Sequence, residues 1–357
     1  MAAYTTIDDP EAYFQVVLYT GDGAANHAIT LPGDTDMQPD LVWIKQRSAV
    51  ARTHCVFDAV RGATKLISLD STAIESTDTD TLDSFTSDGF QVDADVKVNA
   101  DADTYFALCW KANGTGASNT AGSINTGATS ANTTSGFSII TYTGNGTAGA
   151  TLGHGLGAVP HFIICKNTSG SADNGVVYHQ GNTSAPETEV LYIGTTDGTS
   201  DNVGPWNDVA PSSTLITMGT LGQVNTDAQT AVMYAWTEIQ GFSAMGSFTG
   251  NGNANGTFIY TGFRPTFVIF KKTSGTEQWS MRDTKRNPFN STTTYISNAD
   301  STEYEDSHVD YATDFLSNGI KLRGTAGSIN TSGSTYIYMA WAEAPFVNSN
   351  GVPGNAR

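Results

Sequence analysis

The chain has 357 residues, of which 17 are Lys or Arg and 35 are Asp or Glu, so its formal net charge is −18. Only 15% of the residues are charged, against about 25% in an average soluble domain. The acidic balance and the absence of a Lys/Arg cluster exclude nucleic acid as an expected partner, because phosphate binding needs clustered cations. No apolar run reaches the roughly 18 residues of a transmembrane helix. With no signal-peptide pattern at Met1, we expect synthesis in a cytoplasm and no membrane insertion.

Three related segments follow one another along the chain, and each opens with an apolar strand pattern that ends in a glycine turn. The openings are Phe14–Gly23, Phe137–Gly146 and Phe242–Gly252, the third with one extra residue. Asp-Gly or Asn-Gly after such a pattern predicts a hairpin, because both turn positions tolerate positive φ.

A second block follows each opening at a matched distance. It comprises Pro39–Lys45, Pro160–Lys166 and Pro265–Lys271, which begin 25, 23 and 23 residues after the opening Phe. A short continuous apolar run that starts with Pro and is rich in β-branched and aromatic residues predicts a strand buried on both faces. Each run ends in a lysine, which makes Lys45, Lys166 and Lys271 equivalent in the repeat.

The closing block of each segment joins an asparagine to a tryptophan 11 residues later. The pairs are Asn99 and Trp110, Asn225 and Trp236, and Asn330 and Trp341. Each tryptophan ends an apolar strand pattern, so we expect all three in the core.

The three-block repeat predicts an all-β protein of three tandem antiparallel β-sandwich or jelly-roll-like units, each of about 100 residues. We place unit 1 at residues 1–112, unit 2 at 136–240, unit 3 at 241–346 and a C-terminal tail at 347–357. Residues 113–135 are rich in Gly, Ser, Thr and Asn and are typical of a flexible or extended linker. Unit 1 is therefore expected to be separable from the rest.

The equivalent lysines are followed in two units by an Asp-x-x-Arg pattern. Unit 1 has Asp58 and Arg61, unit 3 has Asp283 and Arg286, and unit 2 has Val176–His179 at that place. One interpretation is a repeated ligand-binding set. The interpretation that we favour is a structural ion pair between a strand end and a loop, contributing at most about 1 kcal/mol if it is exposed.

Two further tryptophans lie in turn-rich sequence, where aromatic side chains serve either as surface platforms or as buried loop anchors. Trp206 follows Gly204 and Pro205, and Trp279 follows Gly275–Gln278. We retain both as candidate contacts for a glycan or a neighbouring subunit.

No catalytic, metal or cofactor motif is recognisable, and we expect no enzyme activity and no bound cofactor. Cys55, Cys109 and Cys165 are too scattered for a disulfide framework or a metal site. His154 and His161 are expected to be solvated loop histidines. Paired acidic residues such as Asp93 and Asp95 leave calcium binding open.

Several segments of the sequence resemble a family of virion-associated proteins of tailed, mostly marine, bacteriophages. The resemblance lies in Tyr4–Gln15, the Tyr-Thr-Gly-Asp-Gly turn, Gln38–Lys45, Asp58–Ala63, Ser87–Phe90 and Trp110–Ala112, and at the C-terminus in Trp341–Phe346 and Asn355–Arg357. It is strongest over residues 1–112, and unit 2 departs from it. It implies a virion component and supplies no catalytic residues.

The expected function is therefore a non-enzymatic structural protein of a phage particle, most of all a tail or fibre component. Its expected partners are other virion proteins, further copies of itself in a trimer, and a glycan of the host surface. Two alternatives remain: a capsid decoration or head-fibre protein, and a surface-glycan depolymerase.

Overall fold

The computed structural model describes residues 4–48 and 50–354, and the end of the proposed tail, Asn355–Arg357, lies outside the described residues. The expected all-β class is confirmed, since the regular secondary structure of the described residues is almost entirely antiparallel strand. The strands are described below in three groups that follow the sequence repeats, called units 1, 2 and 3, with unit 2 extended to include the strand at Ala128–Asn132.

Unit 1 contains nine strands and one short helix. They are β1 (Phe14–Thr20), β2 (His27–Thr30), β3 (Leu41–Gln46), β4 (Cys55–Asp58), β5 (Lys65–Leu66), β6 (Ser76–Thr77), β7 (Leu82–Thr86), β8 (Gly89–Val92), α1 (Val96–Asn99) and β9 (Thr104–Trp110). A 3₁₀ turn at Pro10–Ala12 precedes β1.

Unit 2 repeats this order with additions at both ends of its main sheet. Its elements are β10 (Ala128–Asn132), β11 (Phe137–Thr143), β12 (Ala150–Gly153), β13 (Phe162–Asn167), β14 (Val176–His179), β15 (Glu189–Tyr192), β16 (Ser200–Asp201), β17 (Leu215–Met218), α2 (Gly222–Asn225) and β18 (Thr230–Trp236). A 3₁₀ turn at Pro186–Thr188 precedes β15.

Unit 3 completes the series. Its elements are β19 (Ser243–Thr249), β20 (Phe258–Tyr260), β21 (Phe263–Lys272), β22 (Ser280–Asp283), β23 (Thr294–Asn298), β24 (Asp306–His308), β25 (Thr313–Leu316), β26 (Gly319–Leu322), α3 (Gly327–Asn330) and β27 (Thr335–Pro345). A 3₁₀ turn at Val309–Tyr311 follows β24.

The main sheets of the three units share one strand order. It is β1-β9-β3-β4 in unit 1, β11-β18-β13-β14 in unit 2 and β19-β27-β21-β22 in unit 3, with extra edge strands in the last two. In each main sheet, the strand that ends in the closing Trp lies between the opening strand and the strand of the second, Pro-to-Lys block. The second-block strands are buried along nearly their whole length, as their apolar sequence predicts.

A smaller sheet covers the outer face of each main sheet. These sheets are β2-β8-β7, β12-β17 and β20-β26-β25. The hairpin expected at the glycine turns is wrong, because β1 pairs with β9 whereas β2 pairs with β8 in the other sheet. The turn carries the chain from one layer to the other.

The expected linker at residues 113–135 is also not observed. Its strand β10 pairs with β11 along five residues, from Ala128 opposite Thr141 to Asn132 opposite Phe137. Ile124, its one larger apolar residue, is buried in the core of unit 2. Hydroxyl and amide side chains here satisfy backbone groups, so the polar composition did not imply an unstructured connection.

The inner faces of the three main sheets meet in one hydrophobic core. That core draws buried residues from every unit, including Phe14, Trp110, Trp236, Phe267 and Trp341. The units therefore do not follow one another as separate beads, and unit 1 is joined to the others through packed side chains. Separate clusters fill the outer halves of units 1 and 2.

Candidate functional site

The three repeat-equivalent tryptophans meet at the centre of the molecule. The ring centroids lie 5.9 Å apart for Trp110 and Trp236, 5.3 Å for Trp110 and Trp341, and 6.1 Å for Trp236 and Trp341, all with edge-to-face geometry. Phe14, Phe137, Phe162 and Phe267 surround them. Free space at this centre is about 10 Å³, which is at the lower limit for one water molecule. The centre is thus a packed core, with an approximate threefold arrangement.

The three equivalent lysines form a closed ring of contacts around this core, and all are fully buried. Lys45 Nζ of unit 1 donates to the carbonyl of Thr302 in unit 3 at 2.8 Å. Lys166 of unit 2 donates to Ser71 in unit 1, and Lys271 of unit 3 donates to Thr196 in unit 2, both at 2.8 Å. Every unit therefore holds a neighbour through the same side chain.

Each lysine also donates to a carbonyl of its own unit. The acceptors are Arg52, Asp173 and Glu277, each at 2.5 Å. Burial lowers the pKa of all three ammonium groups from 10.5 to about 8. The charge is kept at neutral pH by carbonyl dipoles and nearby carboxylates, which indicates a structural role between units.

The Asp-x-x-Arg pair of unit 1 is a buried ion pair, not one exposed at the surface. Arg61 Nε donates to Asp58 Oδ2 at 2.5 Å, and the hydroxyl of Tyr234 in unit 2 donates to the same oxygen at 2.7 Å. Arg61 also pairs with Glu75 at 3.1 Å. The pair thus closes the interface between units 1 and 2.

The matching pair of unit 3 lies at the interface with unit 1. Arg286 bonds to Asp283 and, at 3.1 Å, to Glu305, and its guanidinium stands 4.2 Å from the ring centroid of Phe106 in unit 1. Arg47 of unit 1 reaches the same Glu305 at 3.0 Å.

Unit 2 closes its interface with unit 3 through a histidine. His179 occupies the place of the missing aspartate, is fully buried, and its Nε2 donates to the carbonyl of Tyr338 at 3.1 Å. Its Nδ1 accepts from the amide of Gly181, so the neutral ring satisfies both nitrogens. In unit 2 the hydrogen bond from His179 to Tyr338 therefore takes the place of the Asp–Arg pair at the interface.

A second interface histidine lies in unit 1. His54 Nε2 donates to the carbonyl of Asn298 in unit 3 at 3.0 Å, while Nδ1 accepts from Trp43 Nε1 at 2.8 Å. Burial lowers the pKa of both His54 and His179 from 6.5 to about 4.

The three equivalent asparagines are buried and hold the glycine turns. In unit 2 the Asn225 carbonyl accepts from the amide of Asn145 at 3.0 Å, and its Nδ2 donates to the carbonyls of Thr147 and Gly219. Asn99 and Asn330 make the corresponding bonds in the other units. A Cβ at Gly144 would lie 2.3 Å from the Thr226 carbonyl, which explains the glycine.

The surface-platform interpretation of the two loop tryptophans is wrong. Trp206 is 1% exposed and packs edge-on against Tyr178, with ring centroids 5.7 Å apart. Trp279 is fully buried, and its Nε1 donates to the carbonyl of Tyr192 in unit 2 at 3.0 Å. Trp279 stands four residues before Asp283, as His54 does before Asp58, and both side chains join their unit to a neighbour. Turn-rich sequence concealed this burial.

The other chemistry-bearing groups lie apart from one another. Within residues 4–48 and 50–354, no group of three or more His, Cys, Asp or Glu side chains could hold a metal ion. His154, expected to be solvated, is fully buried and its Nε2 faces the carbonyl of Ser212 at 3.2 Å. The cysteines are free and buried, and burial raises the pKa of each thiol.

Sequence reasoning missed one surface feature, a pocket of about 410 Å³ on unit 3. It lies between β22–β24 and the 3₁₀ turn at Val309–Tyr311, and Tyr304 and Tyr311 form part of its wall. The signal that could have indicated it is the run Glu303–Asp306, in which an aromatic residue stands among carboxylates.

None of the helices among the described residues is long and apolar enough to cross a membrane.

Comparison with known proteins places the chain in a family without assigning an activity. No curated protein matches the chain. The sequence profile of one family matches residues 9–345, nearly the whole chain. The chain therefore belongs to the family described as "Domain of unknown function (DUF7483)".

Proposed function

We propose that this chain is a non-enzymatic structural protein of a tailed-phage particle, acting as a tail or fibre component that contacts the host surface or neighbouring virion proteins. The observation that carries the proposal is the closed ring of buried contacts between units. Tryptophans, lysines, histidines and Asp–Arg pairs, the groups from which binding and catalytic sites are built, here hold three units in one body.

The sequence resemblance to virion-associated proteins supports a location on a phage particle. The composition agrees with it, since polar loops with few charges bind sugars and proteins through hydroxyl and amide groups whose contacts depend little on salt. A rigid body with a threefold arrangement suits a particle in which neighbouring proteins obey rotational symmetry.

A capsid decoration protein is the second candidate, and the threefold arrangement favours it specifically. Three units with one main-sheet order surround a shared core, and this arrangement matches a threefold site of a shell without a trimer of this chain. The two candidates differ in the mass expected in solution. The monomeric arrangement has the 37.6 kDa of one chain, whereas the expected homotrimer has three times that mass.

The test is the position of the protein on purified particles, by antibody labelling and cryo-electron microscopy. Label at the tail supports the first candidate, and label around the shell supports the second and rejects the first. Absence of the protein from washed particles overturns both. Release of reducing sugar from host polysaccharide by the purified protein would contradict the non-enzymatic assignment.

A further inference from the structure

The surface of unit 3 differs from that of the other units in its aromatic residues. Over residues 4–48 and 50–354, every strongly exposed Phe, Tyr or Trp side chain belongs to unit 3: Phe258, Tyr260, Phe289, Tyr295 and Tyr304. Tyr304 is 48% exposed. Because large apolar surface is unfavourable in water, its concentration on one of three repeats points to a contact made by that repeat.

Tyr304 is the exposed aromatic that lines the unit 3 pocket. The groups around this pocket are the amides of Gln278 and Asn298, the carboxylates of Glu303 and Asp306, and the rings of Tyr304 and Tyr311. Most of them come from β22–β24 and the segment that follows β23. Its volume of about 410 Å³ lies within the range of about 300–1,000 Å³ that is usual for small-molecule sites.

Buried polar atoms without a partner lie in the same part of unit 3. Asn298 Nδ2 donates to Gln278 Oε1 at 2.7 Å, but Asn298 Oδ1 has no partner among residues 4–48 and 50–354. Ser280 is opposite Asn298 in the register and is fully buried, and its hydroxyl also lacks a partner among these residues. Such buried atoms are unfavourable, so the hydrogen bonding behind this pocket is incomplete.

A third group without full hydrogen bonding stands two residues further along β22. Arg282 is fully buried and contacts the pocket wall through Tyr311, whose ring centroid lies 5.9 Å from its guanidinium. Neither Nη1 nor Nη2 has a hydrogen-bond partner within the described part of the chain, and the second aromatic contact is Phe270 at 5.3 Å. Arg282 Nε donates to the carbonyl of Tyr311 at 3.4 Å, which joins the buried cation to the pocket wall.

The lining chemistry selects the ligand class. Carboxylate oxygens accept two hydroxyl protons, amides donate and accept, and tyrosine rings pack against the apolar face of a sugar. An anionic ligand would meet Glu303 and Asp306 at the pocket and a net charge of −18 over the chain. A neutral, hydroxyl-rich ligand avoids that repulsion.

We propose that the unit 3 pocket is a binding site for a neutral saccharide, with Glu303 and Asp306 accepting hydrogen bonds from hydroxyl groups and Tyr304 packing on the ring. This inference deepens the proposed function and rests on it, since the site would serve the contact with a host-surface glycan. Units 1 and 2 then act as the platform that carries the site.

Saturation-transfer NMR on the full chain tests the site with three neutral probes, D-glucose, D-galactose and N-acetyl-D-glucosamine, and one anionic probe, N-acetylneuraminic acid. We expect saturation transfer to at least one neutral sugar and none to the anionic one. Tyr304→Ala should weaken neutral-sugar binding about tenfold, which corresponds to about 1.4 kcal/mol. Glu303→Gln should weaken it while leaving the fold intact.

Tyr295→Ala is the matched control, because Tyr295 has a similar exposure of 41% and does not line the pocket. Circular dichroism and the melting temperature show that each variant folds. No transfer to any neutral sugar, or equal loss in Tyr295→Ala and Tyr304→Ala, overturns the saccharide site. Sugar binding by a protein that is absent from particles would retain the site and reject the virion role; particle location without sugar binding would do the reverse.

Discussion

The side chains on the inner faces of the three units are alike from unit to unit, whereas those on the outer face of unit 3 differ from those of units 1 and 2. At the centre each unit places the same tryptophan, and around it the same lysine, in nearly the same surroundings. Among residues 4–48 and 50–354, strongly exposed aromatic rings occur only in unit 3. Unit 3 also has the buried Arg282 where the other units have Phe57 and Tyr178. Side chains are alike where units must pack on one another, because a shared core tolerates little change in shape.

The largest effect is expected from breaking the shared core. Trp236→Ala should reduce the free energy of unfolding by about 3–5 kcal/mol, and should do so for the whole chain in one transition. Denaturation followed by far-ultraviolet circular dichroism and by fluorescence measures this.

Trp206→Ala is the control, because Trp206 packs within unit 2. Hydrogen exchange should increase in β9 and β27 for Trp236→Ala and only in unit 2 for Trp206→Ala. Separate unfolding of unit 1 in the wild type would contradict the single core.

Acid should weaken two of the three interfaces. The folded pKa of His54 and His179 is about 4, below the 6.5 of the unfolded chain, so the unfolded state binds more protons between these values. The stabilisation is fully present above pH 6.5 and is lost as the pH falls toward 4. The effect approaches about 3 kcal/mol for each histidine.

The measurement is the free energy of unfolding against pH for the wild type and His179→Gln, whose amide can still donate to Tyr338. The variant should lose less stability between pH 6.5 and 4. His308→Gln, at an exposed position, should follow the wild type. Parallel curves for all three proteins would show that His179 does not carry this dependence.

The asparagine contacts of the glycine turns should contribute less. Asn225→Ala leaves the amide of Asn145 and two carbonyls without their side-chain partner, at an expected cost of about 2–3 kcal/mol. Thermal and urea denaturation measure it. Asn113→Ala, at an exposed position, should change stability by less than about 0.5 kcal/mol, and an equal loss would contradict the turn-holding role.

The smallest change in stability is expected at Arg282, where unit 3 differs from the other units. Arg282→Phe replaces a buried guanidinium, of which only Nε has a hydrogen-bond partner among the described residues, with the residue that unit 1 has there. The change should raise stability by about 1–2 kcal/mol. The reciprocal change Phe57→Arg should lower it. A loss of stability in Arg282→Phe would show that the two aromatic contacts of Arg282 outweigh its desolvation.

The sequence by itself determined the repeat, the all-β class and the strands of the three blocks, because period, spacing and apolar runs are local properties of the chain. It also placed Trp110, Trp236 and Trp341 in a core. What it could not supply is which surfaces face each other.

Only the tertiary structure decided that the tryptophans share one core, that residues 113–135 extend the sheet of unit 2, and that Trp206 and Trp279 are buried. It also decided that Lys45, Lys166 and Lys271 bind carbonyls of neighbouring units. These outcomes depend on contacts between residues far apart in the chain, and polar, turn-rich sequence is compatible with either solvent or a hydrogen-bonded interior until those contacts are known.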